Sequence, residues 1–325
     1  MKSHLFVIAL ASIVTAGAAG AQGYPTHPVT IIVPYPAGGP TDQVTRQIVP
    51  KLTGKLGQQF VVENLSGGGT NIAGQRVARS APDGYTLFVH NLQISANVSL
   101  YKSLPFDTEK DFAPIAMLNS NPLVLAGRKS LPANTLQELV AWMKSSSAPV
   151  KIGHPGVGST GHLTTFLLAQ AIGVKMNNIP YRGAAPMLQD LLGGHIDLFF
   201  ATPQQVIGQF RSGDVKVFGI TSKEPSPLFP GVASFVQAYG PKLDIAFWQM
   251  MLAPAKTPKP VIDAIDGAVQ ETLADPEILK VWAVSGMAPY PKAQRTPEGA
   301  SAYLKSEIKR WGDVIRDNHI EASAQ

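Results

Sequence analysis

Along the chain, short runs of β-branched and aromatic residues alternate with longer stretches whose apolar positions recur every three or four residues. Residues 29–33 (VTIIV) are the first such run and predict a buried strand. It ends in the turn-forming segment Pro34-Tyr35-Pro36-Ala37-Gly38-Gly39-Pro40. Thr41 and Asp42 follow as helix-capping residues, ahead of Val44, Ile48, Val49 and Leu52 at helical spacing. Residues 60–62, 86–89 and 123–126 predict further strands, the second entered through the turn Pro82-Asp83-Gly84. Leu136, Leu139, Val140 and Met143 predict a helix capped near Asn134 or Thr135. The second half repeats the rhythm, with strands at 150–152, 178–181, 196–200 and 215–221 and helices at 163–172 and 185–192. From Lys259 onward the spacing is helical, over 261–273, 276–284 and 297–316. Strands alternating with helices predict an α/β protein with mostly parallel sheets.

The N-terminus breaks this rhythm. Lys2 and His4 precede an apolar stretch at 5–14, and Ala19-Gly20-Ala21 fits a small-residue cleavage site. Residues 1–21 are therefore expected to be a secretory signal peptide, too short in its apolar part to anchor the chain across a membrane. The remaining length suits about two domains. With 45% hydrophobic and 15% charged residues, wholesale disorder is excluded. The net charge of +5 is spread thinly, so no nucleic-acid footprint is expected, while small acidic molecules are suitable partners. The chain has no cysteine, which removes thiol nucleophiles, thiolate zinc sites, iron–sulfur clusters and lipid acylation together.

Two segments share a strand, a glycine-rich turn and a helix start, at 29–42 and 150–163. A helix N-terminus presents unpaired N–H groups and a positive dipole end, which suit a carboxylate or phosphate. Two such ends, one per domain, could grip a small anion across a cleft. The second turn contains Gly156-Val157-Gly158-Ser159-Thr160-Gly161, a literal G-x-G-x-x-G. A dinucleotide site also needs an acidic residue at the end of the following strand; here that strand ends Pro180-Tyr181-Arg182, and Asp190 falls within a helix. A small-anion loop fits better. A nucleophile elbow fails at Ser159, because Val157 stands where glycine is required. An exported hydrolase using Ser159 with His162 is the enzymatic alternative. No histidine spacing suits a metal, so neither metal nor cofactor is expected. Thr41, Ser159 and Thr160 are neutral hydroxyl donors for a carboxylate. Asp42 would oppose a bound anion and is read as a structural cap, and Trp248, Phe199 and Phe200 as core.

The segment 34–42, with Pro34, Tyr35, Gly38, Gly39 and Asp42, resembles the pattern P-[FY]-x-x-G-G-x-x-D. Val62-Glu63-Asn64 with Gly67-Gly68-Gly69, Asp83-Gly84-Tyr85-Thr86-Leu87 and Leu104-Pro105-Phe106-Asp107 continue the match. So do Asp111-Phe112-Ala113-Pro114-Ile115, Gly158-Ser159, His162-Leu163 and Pro180-Tyr181-Arg182-Gly183-Ala184-Ala185-Pro186. Asp190-Leu191-Leu192-Gly193-Gly194, Asp197, Ala253-Pro254-Ala255, Thr257-Pro258 and Lys309-Arg310-Trp311-Gly312 complete it. The sequence thus resembles the periplasmic solute-binding proteins of tripartite tricarboxylate transporters, the Bug family, over essentially its whole length beyond the leader.

That resemblance implies an α/β, two-domain periplasmic-binding-protein (Venus flytrap) fold with crossover hinge strands. Residues 22–124 plus 249–325 would form domain 1, and 125–248 domain 2. It implies a periplasmic, non-enzymatic, monomeric receptor for a small organic carboxylate, delivering it to integral membrane transporter subunits. A sensor passing ligand status to a membrane kinase is the remaining alternative. The expected ligand-binding residues are Tyr35, Ala37, Gly38, Gly39 and Thr41 on the first loop and Gly158, Ser159, Thr160 and His162 on the second. Arg182, Ala201 and Thr202 complete the set. Many members carry Asp where this chain has Ala201, so the apolar Phe199-Phe200-Ala201 segment suggests a plain or aromatic dicarboxylate rather than an amino acid. Trp248-Gln249-Met250 stands where a Trp-x-Gly motif is usual, and the Met250-Met251 pair is expected to shape the cleft floor.

Overall fold

The computed structural model describes residues 23–322; the expected signal peptide lies outside the described residues. The chain opens with β1 (Val29–Val33), α1 (Pro40–Leu56), β2 (Phe60–Asn64), α2 (Asn71–Ala78), β3 (Thr86–Asn91), α3 (Gln93–Leu100) and the long strand β4 (Phe112–Pro122). After Leu123 it enters β5 (Val124–Arg128), α4 (Leu136–Ser145), β6 (Val150–His154), α5 (Thr160–Ile172), β7 (Met176–Pro180) and α6 (Ala184–Leu192). Then come β8 (Leu198–Ala201), α7 (Pro203–Ser212), β9 (Val215–Ile220), β10 (Ala233–Ser234) and α8 (Phe235–Tyr239). It returns through β11 (Ala246–Pro254), followed by α9 (Lys259–Leu273), α10 (Pro276–Ala283), β12 (Ala288–Pro289), α11 (Lys292–Arg295) and α12 (Pro297–Asp317).

These strands build two six-stranded sheets, ordered β12-β4-β11-β3-β1-β2 and β10-β9-β5-β8-β6-β7. Each sheet has a parallel half, β2-β1-β3 and β7-β6-β8, and is closed by antiparallel partners. The two-lobed α/β architecture expected from the sequence is the one observed. The lobes join where β4 passes into β5 at Leu123 and where the chain returns into β11. Thr221 ties these two crossings together: its hydroxyl donates to the Ile245 carbonyl at 2.5 Å and accepts the Leu123 N–H at 2.8 Å. One face of the first sheet packs on α1, α9 and α10. Its other face carries α2, α3 and α12, and this core runs on through Leu123, Phe247 and Trp248 into the second lobe. Desolvating so many aliphatic side chains at about 25 cal/mol per Å² supplies the main stabilisation.

Three expectations are corrected. Helix α1 starts at Pro40 with Gly39 as its N-cap, so Thr41 and Asp42 lie inside its first turn rather than capping it; the fixed φ of Pro40 suits the first helical position. Helix α5 begins at Thr160, three residues before its apolar spacing, because Ser159 caps it by accepting the His162 N–H. Met250 and Met251 do not shape the cleft: both are fully buried in β11, one facing each core of the first sheet.

Candidate functional site

The loops that leave the parallel strands at their carboxyl ends face one another across the two lobes and enclose a cavity of about 190 Å³. In open α/β sheets this edge is where ligands bind. The first lobe contributes Tyr35 to Thr41, between β1 and α1, together with Asn91 and Gln93 at the end of β3. The second contributes Ser159, Thr160 and Gly161 after β6, Arg182 to Met187 after β7, and Phe200, Thr202 and Gln205 around the end of β8. Leu123 and Phe247, from the two crossings, form an apolar floor with Phe200.

Four helices aim their N-termini at this space: α1 from one lobe and α5, α6 and α7 from the other. Glycine-rich entries make the convergence possible. Gly38 and Gly183, at φ +81° and +112°, adopt backbone conformations that residues with a Cβ rarely reach. Among the described residues, the N–H groups of Thr41, Thr160, Gly161, Ala184 and Ala185 have no acceptor. These are the orphan donors of helix first turns, positioned to receive anionic oxygen. The Thr160 hydroxyl is buried and likewise has no partner. Tyr35 shares its one hydroxyl proton between Asn91 Oδ1 at 2.7 Å and Gln93 Oε1 at 3.1 Å, and burial pushes its phenol well above the ordinary value, so it stays neutral. Arg182 is the one charged side chain lining the cavity, and it has no ion-pair partner among the described residues.

Of the expected ligand residues, Tyr35, Ala37, Gly38, Gly39, Thr41, Ser159, Thr160, Arg182 and Thr202 line this one cavity. Gly158, His162 and Ala201 do not. Gly158 is turned toward α3 of the other lobe. His162 lies behind the loop and accepts the Gly158 N–H on Nδ1 at 3.2 Å. Ala201 is fully buried in the apolar layer under α6 and α7, because strand alternation sends Phe200, not Ala201, toward the cavity. Phe199 is core as expected, and so is Trp248, whose indole donates to Glu307. The Ser159–His162 pair is not a nucleophile and base: Ser159 Oγ accepts the backbone N–H of His162, and His162 Nδ1 is occupied by Gly158. Among the described residues, no group of three His, Asp or Glu side chains stands close enough to hold a metal. No helix among the described residues is long and apolar enough to cross a membrane.

Asn91, Gln93, Gln205, Leu123 and Phe247 line the cavity without a sequence signal. Asn91, Gln93 and Phe247 arrive only through the sheet order that sets β3 beside β1 and β11 beside β3, and Gln205 through the capping contact its Oε1 makes with the Thr202 N–H at 2.7 Å.

Comparison with known proteins agrees with this geometry. Residues 44–320 match the model described as tripartite tricarboxylate transporter family receptor. The chain is 32% identical to protein BugT of Bordetella pertussis, over 94% of each chain. It superposes on MatC from Rhodopseudomonas palustris, solved with bound malate, with a TM-score of 0.83 and 32% identity, over 90% of this chain and 100% of that one. The R. palustris protein Rpa4515, solved with adipate, gives a TM-score of 0.86 and 29% identity, over 92% and 99%.

Proposed function

The chain belongs to the tripartite tricarboxylate transporter receptor family, and from that premise we propose that it is an exported receptor for a dicarboxylate with an apolar spacer, which it delivers to a membrane transporter. Members of this family are solute-binding receptors, not enzymes. The observation that carries the ligand reading is the pairing of donors at both walls with an apolar floor between them. In this reading one carboxylate is held by the first loop, through Tyr35, Thr41 and the α1 N-terminus. The other meets Ser159, Thr160 and the α5 and α6 N-termini, with Arg182 at the rim, and the spacer lies over Leu123, Phe200 and Phe247. MatC and Rpa4515 were solved with malate and adipate; the lack of a further polar side chain on the floor favours the plain chain of adipate over a hydroxylated one. Residues 22–124 with 249–325, and residues 125–248, are the two bodies that close on the ligand, because contacts to both favour the closed arrangement.

A thermal-shift screen of the mature chain tests this. The panel holds adipate, an aromatic diacid, malate, a tricarboxylate, a monocarboxylate and an acidic amino acid. A ligand at ~100 times its dissociation constant adds about 2.7 kcal/mol, read as a rise of several degrees. Adipate or the aromatic diacid should give the largest rise, and Ser159→Ala should reduce it. A rise for malate alone would overturn the spacer assignment, and no rise with any acid would overturn the carboxylate reading.

A further inference from the structure

The loop after β6 meets α3 of the opposite lobe through a hydrogen bond and a close apolar contact. Gln93, the first residue of α3, donates from Nε2 to the Val157 carbonyl at 2.9 Å. Its Oε1 accepts the Tyr35 hydroxyl at 3.1 Å. One amide therefore connects the ligand-facing loop of the first lobe to that of the second. Beside it, Gly158 has φ +78°, and a Cβ there would lie 2.2 Å from Leu100 Cδ1 and 3.5 Å from Asn97 Oδ1. That Asn97 oxygen is buried and has no partner among the described residues. Glycine at 158 is thus required twice, for its backbone conformation and for the flush approach to α3. On the other rim, a Cβ on Gly183 would come within 3.7 Å of Pro36 Cγ, so the lobes also meet there.

We propose that Gln93 is a positioning residue that couples ligand seating to lobe closure. A ligand on the first loop fixes Tyr35, Tyr35 fixes the Gln93 amide, and the amide holds the Val157 carbonyl of the second lobe. Gly158 against Leu100 is the flat contact that lets the loop come close enough for that bond. The coupling rests on the receptor reading above and extends it to what keeps the closed state closed. A contact made only after the lobes meet lengthens residence of the ligand and leaves its first encounter unchanged, so its loss belongs in the dissociation rate.

The chain contains no cysteine, so cysteines placed at exposed Ser103 in the first lobe and Ser147 in the second give two unique spin-label sites. With saturating adipate, the wild-type chain should populate the short interlobe distance and Gln93→Leu mainly the long one. Loss of one such hydrogen bond should raise the adipate dissociation rate about tenfold, with the association rate within about a factor of two. Gly158→Ala should fail to close, and adding Leu100→Ala should restore part of the short-distance population, because that second change relieves the collision while the backbone strain at φ +78° remains. A Gln93→Leu protein that closes and releases adipate as the wild type does overturns the proposal, and lack of rescue by Leu100→Ala overturns the part given to Gly158. If adipate does not bind the wild type, the ligand reading falls, and the ligand-free distance distributions decide the coupling. Loss of the short-distance population in Gln93→Leu then upholds it, and identical distributions overturn it.

Discussion

Asp42 is buried in the first turn of α1, next to a loop built to receive an anion, yet its charge is taken up by its own surroundings. Its Oδ2 accepts the Gly38 N–H at 2.8 Å, Oδ1 accepts Asn64 Nδ2 at 2.9 Å, and Arg46 Nε lies 3.0 Å from both oxygens. Burial alone would raise its pKa, but the Arg46 guanidinium, the Gly38 N–H and the Asn64 amide together outweigh burial and hold the carboxyl below the usual carboxylate range. Its residual charge therefore repels a ligand carboxylate little, while it fixes Gly38 in the turn that exposes the α1 N-terminus. Asp42→Ala leaves the Gly38 N–H and the Asn64 amide without their acceptor, at a cost of about 2–3 kcal/mol in urea unfolding at pH 7. Because the folded pKa lies below the unfolded one, this contribution is present above the unfolded value and fades as pH falls through the folded one. The gap between wild type and Asp42→Ala should accordingly close in strong acid, and a gap that persists there would assign the loss to packing instead.

At the scale of elements, α12 is held to the hinge by one carboxylate. Glu307 is buried and accepts two indole N–H groups at 2.9 Å, from Trp248 on β11 and from Trp311 on its own helix. Glu307→Ala strands both donors and should cost about 2–4 kcal/mol, with a shift in tryptophan fluorescence marking the exposed indoles; both indoles meet the same oxygen, Oε2, so Glu307→Gln, whose amide oxygen can stand there and accept both, should cost clearly less. An unchanged urea midpoint for Glu307→Ala would show that the helix is held by its apolar face alone. The same region marks where the sequence stops being readable. β1 is plain as a buried run because both its faces are covered, β6 because only Lys151 of it is exposed, and α12 is plain because one of its faces is not covered. β4 and β11 carry Asn119, Asn121 and Gln249 in the interior of the sheet, and α3 buries Gln93, Ser95 and Asn97, so polarity there no longer tracks exposure and periodicity gives no signal. The two ligand loops were legible as Gly- and Pro-rich punctuation after strands, since backbone that must turn sharply needs those residues. What pairs with each loop across the cleft was not legible, because Asn91, Gln93 and Phe247 are brought there by strand order and not by local sequence.

At the scale of the whole molecule, three imidazoles among the described residues are buried, one in the first lobe and two in the second, and this sets how it responds to acid. His90 lies under the first lobe's site, its Nδ1 accepting the Asn91 N–H at 2.7 Å and its Nε2 3.1 Å from the Thr70 hydroxyl. His154 and His162 pack against each other behind the second loop, ring centroids 4.2 Å apart and tilted by 40°, and their Nδ1 atoms accept the N–H groups of Gly156 and Gly158 at 3.3 and 3.2 Å. Burial pushes His90 down to about 3 and lowers His154; burial, reinforced by the neighbouring His154, pushes His162 down to about 3. All three are therefore neutral in the folded chain, which leaves Nδ1 free to hold the loops as an acceptor. A base with a depressed folded pKa has no effect on stability above its unfolded value, where both states are neutral. Below that value only the unfolded chain takes up the proton, so stability falls with pH until the folded pKa is reached. Each such group removes about 1.4 kcal/mol per pH unit in that window. Urea unfolding should thus give a flat midpoint above about pH 7 and a steep decline from about pH 6 to 4. His162→Gln should lower stability at pH 7.5, since the Gly158 N–H loses a well-placed acceptor, yet decline less steeply by about 1.4 kcal/mol per pH unit. A His162→Gln variant with the wild-type slope would mean that His162 does not stay neutral in the folded loop, and the acid response would then have to come from His90 and His154.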